Sequence, residues 1–465
     1  MSVASSVPVI QDIPDVVKRL RASFDTGRSR PVEWRREQLL RLLAMLTERE
    51  SELLGALHAD LGKPAIEGFV TDLGFVTAEI HHTLKHLDDW MRPERVRVPI
   101  KQQPGKARIH REPLGVGLVI GPWNYPIQLV LAPLVGAIAA GNCAVVKPSE
   151  VAAHSSDALA RILPHYLDSE CIAVVEGGVP ETQALLGERF DHIFYTGNGA
   201  VARVVMEAAA KHLTPVTLEL GGKSPVIVDR RVNVDVAARR IAWGKFLNAG
   251  QTCVAPDYVL VDHQQNQPLL DALHRAIRAF YGDDPQASPD YGRIVNSRHF
   301  ARLTQLLGDG AAVIGGETDE RDLYIAPTVL CDVDPSATVM GSEIFGPILP
   351  VLPMADVNAA IEFVNDRDKP LALYVFSEDD VVQQRVVSAT SSGGVCVNAT
   401  MFHLAVPGLP FGGVGPSGTG AYHGRASFET FSHRKSVLTK PTRIDPSVAY
   451  PPYTSFKQKL LRRFL

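Results

Sequence analysis

Between residues 115 and 229, short apolar segments alternate regularly with amphipathic segments, and this pattern constrains the fold more than any other feature. The apolar segments, among them GVGLVIG, CAVVKP and HIFYTG, show no polar alternation, so both faces of the strands they predict must be covered. Helical segments between such strands are typical of a parallel sheet with helices on both sides. The same alternation returns from 234 to 400. The sequence therefore predicts an α/β fold with two doubly wound, Rossmann-like domains.

The segments that flank this pattern predict other elements. Residues 10–92 have apolar positions at helical spacing, and 37–62 is the clearest amphipathic helix, ending at Gly62. Residues 95–113 alternate on both sides of Pro104-Gly105, which predicts a two-stranded hairpin. The hairpin is basic, but we expect an arm that packs on the protein or on a second subunit rather than a nucleic-acid contact. The basic tail, 450–465, predicts a short helix that docks on the protein or rests on a membrane surface.

Bulk composition excludes several classes of protein. With 465 residues, 45% hydrophobic content and a net charge of −4, the chain has an ordinary globular core and no general attraction for nucleic acid. The longest apolar segment, 127–141, is too short to span a membrane and contains Pro133, so it predicts a buried helix. The N-terminus lacks a basic start followed by an apolar run, so we expect no signal peptide. The five scattered cysteines favour neither a disulfide framework nor a zinc site, and we expect a cytoplasmic protein.

Two predicted strand ends carry groups suited to a nucleotide. Gly197-Asn198-Gly199 follows the strand HIFYT and opens a helix, and such a turn either cradles phosphate at the helix N-terminus or is a plain tight turn. Lys147 and Glu150 follow the strand CAVV. A carboxylate in that place can accept hydrogen bonds from ribose hydroxyls, although a solvated cap would have the same residues.

Two further strand ends carry groups suited to acyl chemistry. The segment GPWNYP predicts that Trp123, Asn124 and Tyr125 are exposed before a helix, where the Asn124 amide could bind an oxyanion or cap the helix. Glu219 interrupts the apolar strand VTLEL and precedes Gly221-Gly222. Burial would raise the pKa of this carboxyl and make it a useful base near neutral pH, unless a core ion pair satisfies it.

Cys253 differs from the other four cysteines in its surroundings. It follows the helical segment WGKFLNAG in a polar turn, whereas Cys143, Cys171, Cys331 and Cys396 lie in or beside predicted strands. Most cysteines fill apolar space, but one in such a turn can present an accessible thiol as a nucleophile. Together with the amide, the carboxyl and the nucleotide turn, it favours covalent redox chemistry on a carbonyl.

The same residues carry a family resemblance. PWNYP, KPSE, YTGNG, LELGGKSP, GQTCVAPDYVL, SEIFGPILPV and LPFGGVGPSGTGAYHGRASFETFSH resemble, in order, the signatures of the NAD(P)-dependent aldehyde dehydrogenases. The resemblance spans about residues 10–440, and GAYHGRASFETFSH is similar to the class-three branch, with its fatty, aromatic and coniferyl aldehyde enzymes. It implies an NAD(P)-binding domain over 1–92 and 114–220, a catalytic domain over 221–415, and an oligomerisation arm with a C-terminal tail over 93–113 and 430–465.

The resemblance also implies roles for single residues. Cys253 would attack the aldehyde, the Asn124 amide and the Cys253 N–H would hold the oxyanion, and Glu219 would activate water. Lys147 and Glu150 would hold the adenosine ribose. The remaining cofactor-binding residues implied by the resemblance are Pro122, Trp123, Gly197, Asn198, Gly199, Gly221, Glu343 and Phe345. The family often has Ser at Asn198. Because Asn tolerates a left-handed turn and offers a side-chain donor, we expect cofactor binding to survive this difference.

Substrate and assembly follow from the same resemblance. We expect NAD as the cofactor, with NADP possible, no metal, and a homodimer bridged by 93–113 and 430–465. Residues expected near the substrate channel are apolar or aromatic and favour a medium-to-long aliphatic or aromatic aldehyde; they are Tyr125, Trp243, Phe246, Phe402, His403 and Leu404. Two alternatives stay open: the same fold with CoA rather than water as acyl acceptor, and a non-catalytic protein on this scaffold.

Overall fold

The computed structural model describes residues 12–464. Residues 1–11 lie outside the described part. Two predictions fall on them: the start of the cofactor-binding domain and the absence of a signal peptide. In chain order the strands are β1 (Glu94–Val96), β2 (Lys106–Pro113), β3 (Val116–Ile120), β4 (Cys143–Lys147), β5 (Ile172–Val174), β6 (His192–Thr196), β7 (Val216–Glu219), β8 (Pro225–Val228), β9 (Tyr258–Asp262), β10 (Ala311–Ile314), β11 (Thr318–Asp319), β12 (Tyr324–Ile325), β13 (Thr328–Cys331), β14 (Ile348–Met354), β15 (Ala372–Phe376), β16 (Gly394–Val397), β17 (Gly418–Thr419) and β18 (Ser432–Thr439).

Two large sheets form the frame of the molecule. The first has the order β17-β7-β6-β3-β4-β5, and all its strands are parallel except the edge strand β17. The second has the order β10-β13-β14-β9-β8-β15-β16, and only the edge strand β10 is antiparallel. This arrangement confirms the predicted α/β fold with two doubly wound sheets. In the first sheet, Ile120 is paired with Lys147 and Tyr195, so the carboxyl ends of these strands lie together at one edge.

Helices cover the faces of both sheets. They are α1 (Ile13–Asp25), α2 (Val32–Glu48), α3 (Glu50–Leu61), α4 (Ala65–Gly68), α5 (Gly74–Met91), α6 (Gln128–Ala140), α7 (Ala153–Tyr166), α8 (Val179–Gly187), α9 (Gly199–Ala210), α10 (Val234–Phe246), α11 (Asn266–Tyr281), α12 (Ser297–Leu306), α13 (Thr338–Gly341), α14 (Val357–Asn365), α15 (Asp380–Ala389), α16 (Arg425–Thr430) and α17 (Ser455–Phe464). Helix α6 is apolar all round and is buried from Leu129 to Ala140, because α2, α5, α16 and β4 surround it. The prediction of a buried helix at 127–141 is confirmed.

A three-stranded sheet, β1-β2-β18, projects from the first large sheet. The predicted hairpin forms as β1 and β2, and β18 from near the C-terminus pairs along the whole of β2, from Pro113 opposite Ser432 to Lys106 opposite Thr439. Arg111 of β2 pairs with Glu94 of β1 at 3.1 Å and connects this sheet to α16 through Glu429 at 3.0 Å. The two segments predicted to form one arm, 93–113 and 430–465, therefore meet within the chain.

Three predicted element boundaries are wrong. The helix expected over 37–62 is two helices, α2 and α3, separated at Arg49, although Gly62 ends the second with a left-handed φ of 59° as predicted. Both helices bury one face against the same core, so the apolar periodicity runs through the break. The alternation of apolar and amphipathic segments also predicts a helix over 124–140, but this helix begins only at Gln128. The strand β8 was not predicted, because its four residues follow a glycine-rich turn and are too few to show a period.

Three features of the described residues concern the membrane, metal and disulfide predictions. Within 12–464 no helix combines the length and apolarity needed to cross a bilayer. In the same range no group of three or more His, Cys, Asp or Glu side chains has the arrangement of a metal site. The five cysteines are all free thiols.

Candidate active site

A cavity of about 610 Å³ opens at the carboxyl ends of β3, β4, β6 and β7 and is closed on its other side by residues that follow α10 and β13. This is the edge at which open parallel sheets bind ligands. Twelve of the thirteen predicted site residues line it: Pro122, Trp123, Asn124, Lys147, Glu150, Gly197, Asn198, Glu219, Gly221, Cys253, Glu343 and Phe345. The thirteenth, Gly199, is the first residue of α9 and does not line the cavity.

Cys253 lies in a loop whose backbone is tightly constrained. Asn248, Ala249 and Gly250 follow α10 with left-handed φ angles of 51°, 50° and 74°. A Cβ at Gly250 would lie 2.2 Å from the carbonyl oxygen of Gly346, so only glycine fits there. The loop brings the Cys253 thiol into the cavity, where it is half-buried rather than exposed as predicted. The prediction overlooked that the second sheet covers this turn.

The thiol of Cys253 is not an ionised nucleophile by default. Burial raises its pKa, and the nearby carboxyl groups of Glu343 and Glu219 raise it further. The backbone N–H groups of Cys253 and Val254 act in the opposite direction but do not offset these effects. Attack by sulfur therefore requires a base that takes the thiol proton.

Asn124 occupies the segment between β3 and α6. It is only 2% exposed and Tyr125 only 5%, so the prediction that this segment is exposed is wrong: residues from the N-terminal helices and the Cys253 loop cover it. The Asn124 Nδ2 donates to the carbonyl of Gln251 at 3.0 Å, which leaves its second amide hydrogen without a partner among the described residues. Asn124 does not cap α6, because that helix begins four residues later. Its amide is fixed within the wall of the cavity that also holds Cys253.

Glu219 ends β7 and points its carboxyl into the same cavity. It is 2% exposed, and neither carboxyl oxygen has a hydrogen-bond partner within 12–464. Burial holds the pKa of Glu219 well above its usual value, as predicted. Among the described residues no cation pairs with the Glu219 carboxyl, so the alternative of a core ion pair is wrong for this part of the chain. A buried carboxyl without partners is costly, and a bound water or substrate would relieve that cost.

The opposite end of the cavity carries a cation and a carboxylate. The Lys147 Nζ donates to Glu150 Oε2 at 2.8 Å, and the side chains are 3% and 48% exposed, respectively. Burial alone would raise the pKa of Glu150, but the hydrogen bond and charge of Lys147 lower it below its usual value. Glu150 is therefore an ionised acceptor at the mouth of the cavity.

The turn after β6 approaches the cavity closely. A Cβ at Gly197 would lie 2.2 Å from the hydroxyl oxygen of Tyr195, so this position also requires glycine. Asn198 is the N-cap of α9, and its side-chain oxygen accepts the N–H of Val201 at 3.0 Å. Its φ of −87° is extended, so the turn does not use the left-handed conformation that Asn tolerates. The capping bond explains the difference, because an N-cap residue takes β-region angles.

Glu343 and Phe345 reach the cavity from the second sheet. Burial and the nearby Asp257 raise the pKa of Glu343 to about 8, and its Oε1 has no partner among the described residues. A Cβ at Gly221 would lie 2.1 Å from Glu343 Oε2, so a larger residue there would displace the carboxyl end of Glu343. Phe345 packs edge-on against Trp123, with ring centroids 5.2 Å apart.

Sequence reasoning missed two sets of residues around the cavity. Arg298, His299 and Arg302 of α12 line it, and the His299 ring lies 4.9 Å from Trp123. The sequence signal that could have indicated these residues is the grouping of two arginines and a histidine in the first two turns of one helix. The second set is the buried pair Lys63 and Asp72, which contacts the Asn124 segment from the N-terminal helices.

Comparison with known proteins agrees with this geometry. Residues 9–437 match the model of the aldehyde dehydrogenase family. The chain is 51% identical over 445 residues to the dimeric NADP-preferring aldehyde dehydrogenase of Rattus norvegicus, covering 95% of this chain and 98% of that protein. It is 50% identical over 451 residues to aldehyde dehydrogenase family 3 member A2 of Mus musculus, covering 97% and 93%.

A solved structure is equally similar. The substrate-bound state of an aldehyde dehydrogenase from Staphylococcus aureus superposes with a TM-score of 0.95 at 46% identity, covering 97% of this chain and 99% of that one. A family match over nearly the whole chain, together with relatives at half identity, leaves one assignment. The chain belongs to the aldehyde dehydrogenase family and is similar to the family 3 members within it.

Proposed function

We propose that this NAD(P)-dependent aldehyde dehydrogenase oxidises its substrate to the carboxylic acid by covalent catalysis at Cys253. One observation carries the proposal: a thiol, an amide donor and a buried carboxyl without a hydrogen-bond partner among the described residues line one cavity, which the pair Lys147 and Glu150 also lines. A covalent intermediate splits oxidation and hydrolysis into two easier steps.

The side chains divide the chemistry between them. The Cys253 sulfur bonds to the aldehyde carbon as Glu219, directly or through water, takes the thiol proton. The oxyanion of the thiohemiacetal accepts hydrogen bonds from the Asn124 amide and the Cys253 N–H. When bound, the nicotinamide ring supplies the acceptor for the hydrogen and electron pair that leave this carbon. Glu219 passes the thiol proton to solvent and then takes a proton from water, which attacks the resulting thioester. The tetrahedral intermediate expels the Cys253 sulfur, which receives the proton from Glu219, and the acid leaves.

The cavity suits a dinucleotide. A volume of about 610 Å³ falls in the range of cofactor sites, and Gly197 and Gly221 lie where a Cβ would clash with a neighbouring side chain. Glu150 and Lys147 would hold the adenosine ribose, and the free Oε1 of Glu343 would accept from the nicotinamide ribose. The remaining cavity residues of the predicted set, Pro122, Trp123, Asn198 and Phe345, would flank pyrophosphate and ring; Gly199 would contribute through the start of α9.

The aldehyde is a medium-to-long aliphatic or an aromatic one. Trp243 and Phe402 stack at 5.3 Å beside a second cavity of about 560 Å³, and Phe402 is more than half exposed. Of the other residues expected near the channel, Tyr125 and Phe246 are buried beneath the surface, while His403 and Leu404 follow Phe402 in the same short helical turn. We infer that the aldehyde passes this surface, where Trp243, Phe280 and Phe402 would contact a large apolar group beside the polar Arg239 and Arg240.

The larger assembly follows the same reasoning. We propose a homodimer in which the sheet β1-β2-β18 bridges two subunits, because an exposed edge strand is commonly covered by another chain. A relative at half identity is named dimeric. Residues 1–92 and 114–220 would bind cofactor, and 221–415 would carry the nucleophile. Five free thiols suit a reducing compartment such as the cytoplasm.

The test is absorbance of reduced nicotinamide on mixing enzyme, NAD or NADP, and aldehydes from acetaldehyde through decanal to benzaldehyde and coniferaldehyde, without CoA. Turnover that rises with apolar size, and that disappears in Cys253→Ala, is the expected result. A single burst without turnover that CoA restores would favour the alternative acyl acceptor. Binding of cofactor without oxidation of any aldehyde would refute the assignment in favour of the non-catalytic alternative.

A further inference from the structure

Two fully buried charges lie beneath the Asn124 segment. Lys63, between α3 and α4, and Asp72, in the π-helical turn Phe69–Leu73, are both 0% exposed, and Lys63 Nζ lies 2.8 Å from Asp72 Oδ2. Burying an ion pair costs more free energy than packing apolar side chains of the same volume, so a pair in this place is poorly explained by stability alone. What the two charges contact indicates their role.

Asp72 holds the start of α6. Its Oδ1 accepts the backbone N–H groups of Ile127 and Gln128, at 3.3 and 3.2 Å. Helix α6 has no capping side chain of its own, because the residue before it is Ile127. A carboxylate from another element therefore satisfies the free N–H groups and faces the positive end of the helix.

Lys63 holds the other end of the same segment. Its Nζ donates to the carbonyl oxygen of Asn124 at 3.2 Å and lies 4.1 Å from the ring centroid of Tyr125. The same carbonyl accepts Asn248 Nδ2 at 2.9 Å, from the loop that carries Cys253. The backbone of Asn124 is thus fixed on one side by the N-terminal helices and on the other by the nucleophile loop.

We infer that the Lys63–Asp72 pair positions the Asn124 amide toward the oxyanion that forms at Cys253. Both ends of the irregular segment 124–128 are hydrogen-bonded to this one pair. The pair therefore fixes the backbone of the segment and, with it, the direction of the Asn124 side-chain amide. An oxyanion donor helps only when it is already in place as charge develops, and small displacements are costly. Neither side chain lines the cavity, so both are positioning residues rather than catalytic ones. The inference rests on the proposed role of Asn124.

The test is a double-mutant cycle on the first turnover. Replacing the pair by Lys63→Met with Asp72→Asn removes both charges together, so no buried charge is left unpaired. Stopped-flow formation of reduced cofactor, with aldehyde and cofactor saturating, is measured for this neutral-pair variant, for Asn124→Ala and for the triple combination. Asp168→Asn is the control, since Asp168 pairs with Arg28 at 2.6 Å, is itself only 10% exposed, and does not line the cavity.

We expect the neutral-pair variant to slow the first turnover about tenfold, and Asn124→Ala by ~10²-fold or more. Added to Asn124→Ala, the neutral pair should slow it less than about twofold further, because the amide to be positioned is gone. Asp168→Asn should keep the wild-type rate even where its melting temperature falls.

Alkylation of the Cys253 thiol by iodoacetamide provides a second readout, because that reaction forms no oxyanion. Its rate should be unchanged in the neutral-pair variant. Equal slowing in the wild-type and Asn124→Ala backgrounds, or slowed alkylation, would overturn the inference while leaving the role of Asn124 intact. A wild-type first turnover in Asn124→Ala would instead overturn the oxyanion role, and the positioning role with it.

Discussion

Glu150→Gln should shift the enzyme from NAD toward NADP. The Glu150 carboxylate lies at the adenosine end of the cavity, 2.8 Å from Lys147 Nζ, and remains ionised because that cation lowers its pKa despite burial. A ribose 2′-phosphate placed there meets one carboxylate and one ammonium. Gln keeps the volume and an acceptor for ribose but removes the negative charge, so only the attraction to Lys147 remains.

The size of the effect follows from distance and exposure. Two unit charges 5 Å apart repel by about 3 kcal/mol at an effective dielectric constant of 20. Because Glu150 is 48% exposed, solvent screens its charge, and the repulsion that remains is about 1–2 kcal/mol. That corresponds to an increase of about tenfold in the ratio of kcat/KM for NADP to that for NAD.

The assay compares both cofactors at fixed saturating aldehyde and low ionic strength, and then at higher salt, where the gain should shrink. Glu207→Gln is the control. Glu207 is an exposed carboxylate on α9, the helix that follows β6, and it does not line the cavity. A ratio that changes less than about twofold in Glu150→Gln, or equally in Glu207→Gln, would refute a direct repulsion between Glu150 and the 2′-phosphate.

Three further changes have defined outcomes. Glu219→Gln should slow the first burst of reduced cofactor, because no base takes the Cys253 thiol proton, and lower steady-state turnover by ~10²-fold or more, because none activates water. A burst at the wild-type rate would contradict the first role and unchanged steady-state turnover the second. Gly221→Ala should raise KM for the cofactor about tenfold or more, since the new Cβ would lie 2.1 Å from Glu343 Oε2; an unchanged KM would exclude Glu343 from cofactor binding. Glu79→Gln should flatten the pH dependence of the free energy of unfolding. Burial raises the pKa of Glu79 from 4.5 to about 7, so between these pH values the folded state holds a proton that the unfolded state has lost. The free energy of unfolding of the wild type therefore falls by at most about 3 kcal/mol as pH rises through that window. Chemical denaturation should show the variant more stable at pH 8 and equal at pH 4.5, and parallel curves would refute it.

Much of the fold could be predicted because its signals are local. Unalternated apolar runs such as Val116–Ile120 and His192–Thr196 are buried on both faces. Of the helices between them, α7 buries one face, whereas α6 is buried all round. Boundaries that depend on the surroundings could not be predicted. The break at Arg49 leaves the apolar period intact, and the start of α6 is set by Asp72, more than 50 residues away in the chain.

The site divides in the same way. The sequence by itself determined which residue types stand at strand ends: a cysteine after a glycine-rich turn, a carboxyl among leucines, and a lysine with a glutamate after β4. Parallel strands bring their carboxyl ends to one edge, so these residues were bound to converge. Only the tertiary structure decided their environment. The second sheet half-buries Cys253 and raises its pKa, and Lys63 and Asp72 fix the Asn124 segment. Burial and long-range hydrogen bonds depend on which elements pack together, and no local pattern of residues encodes that.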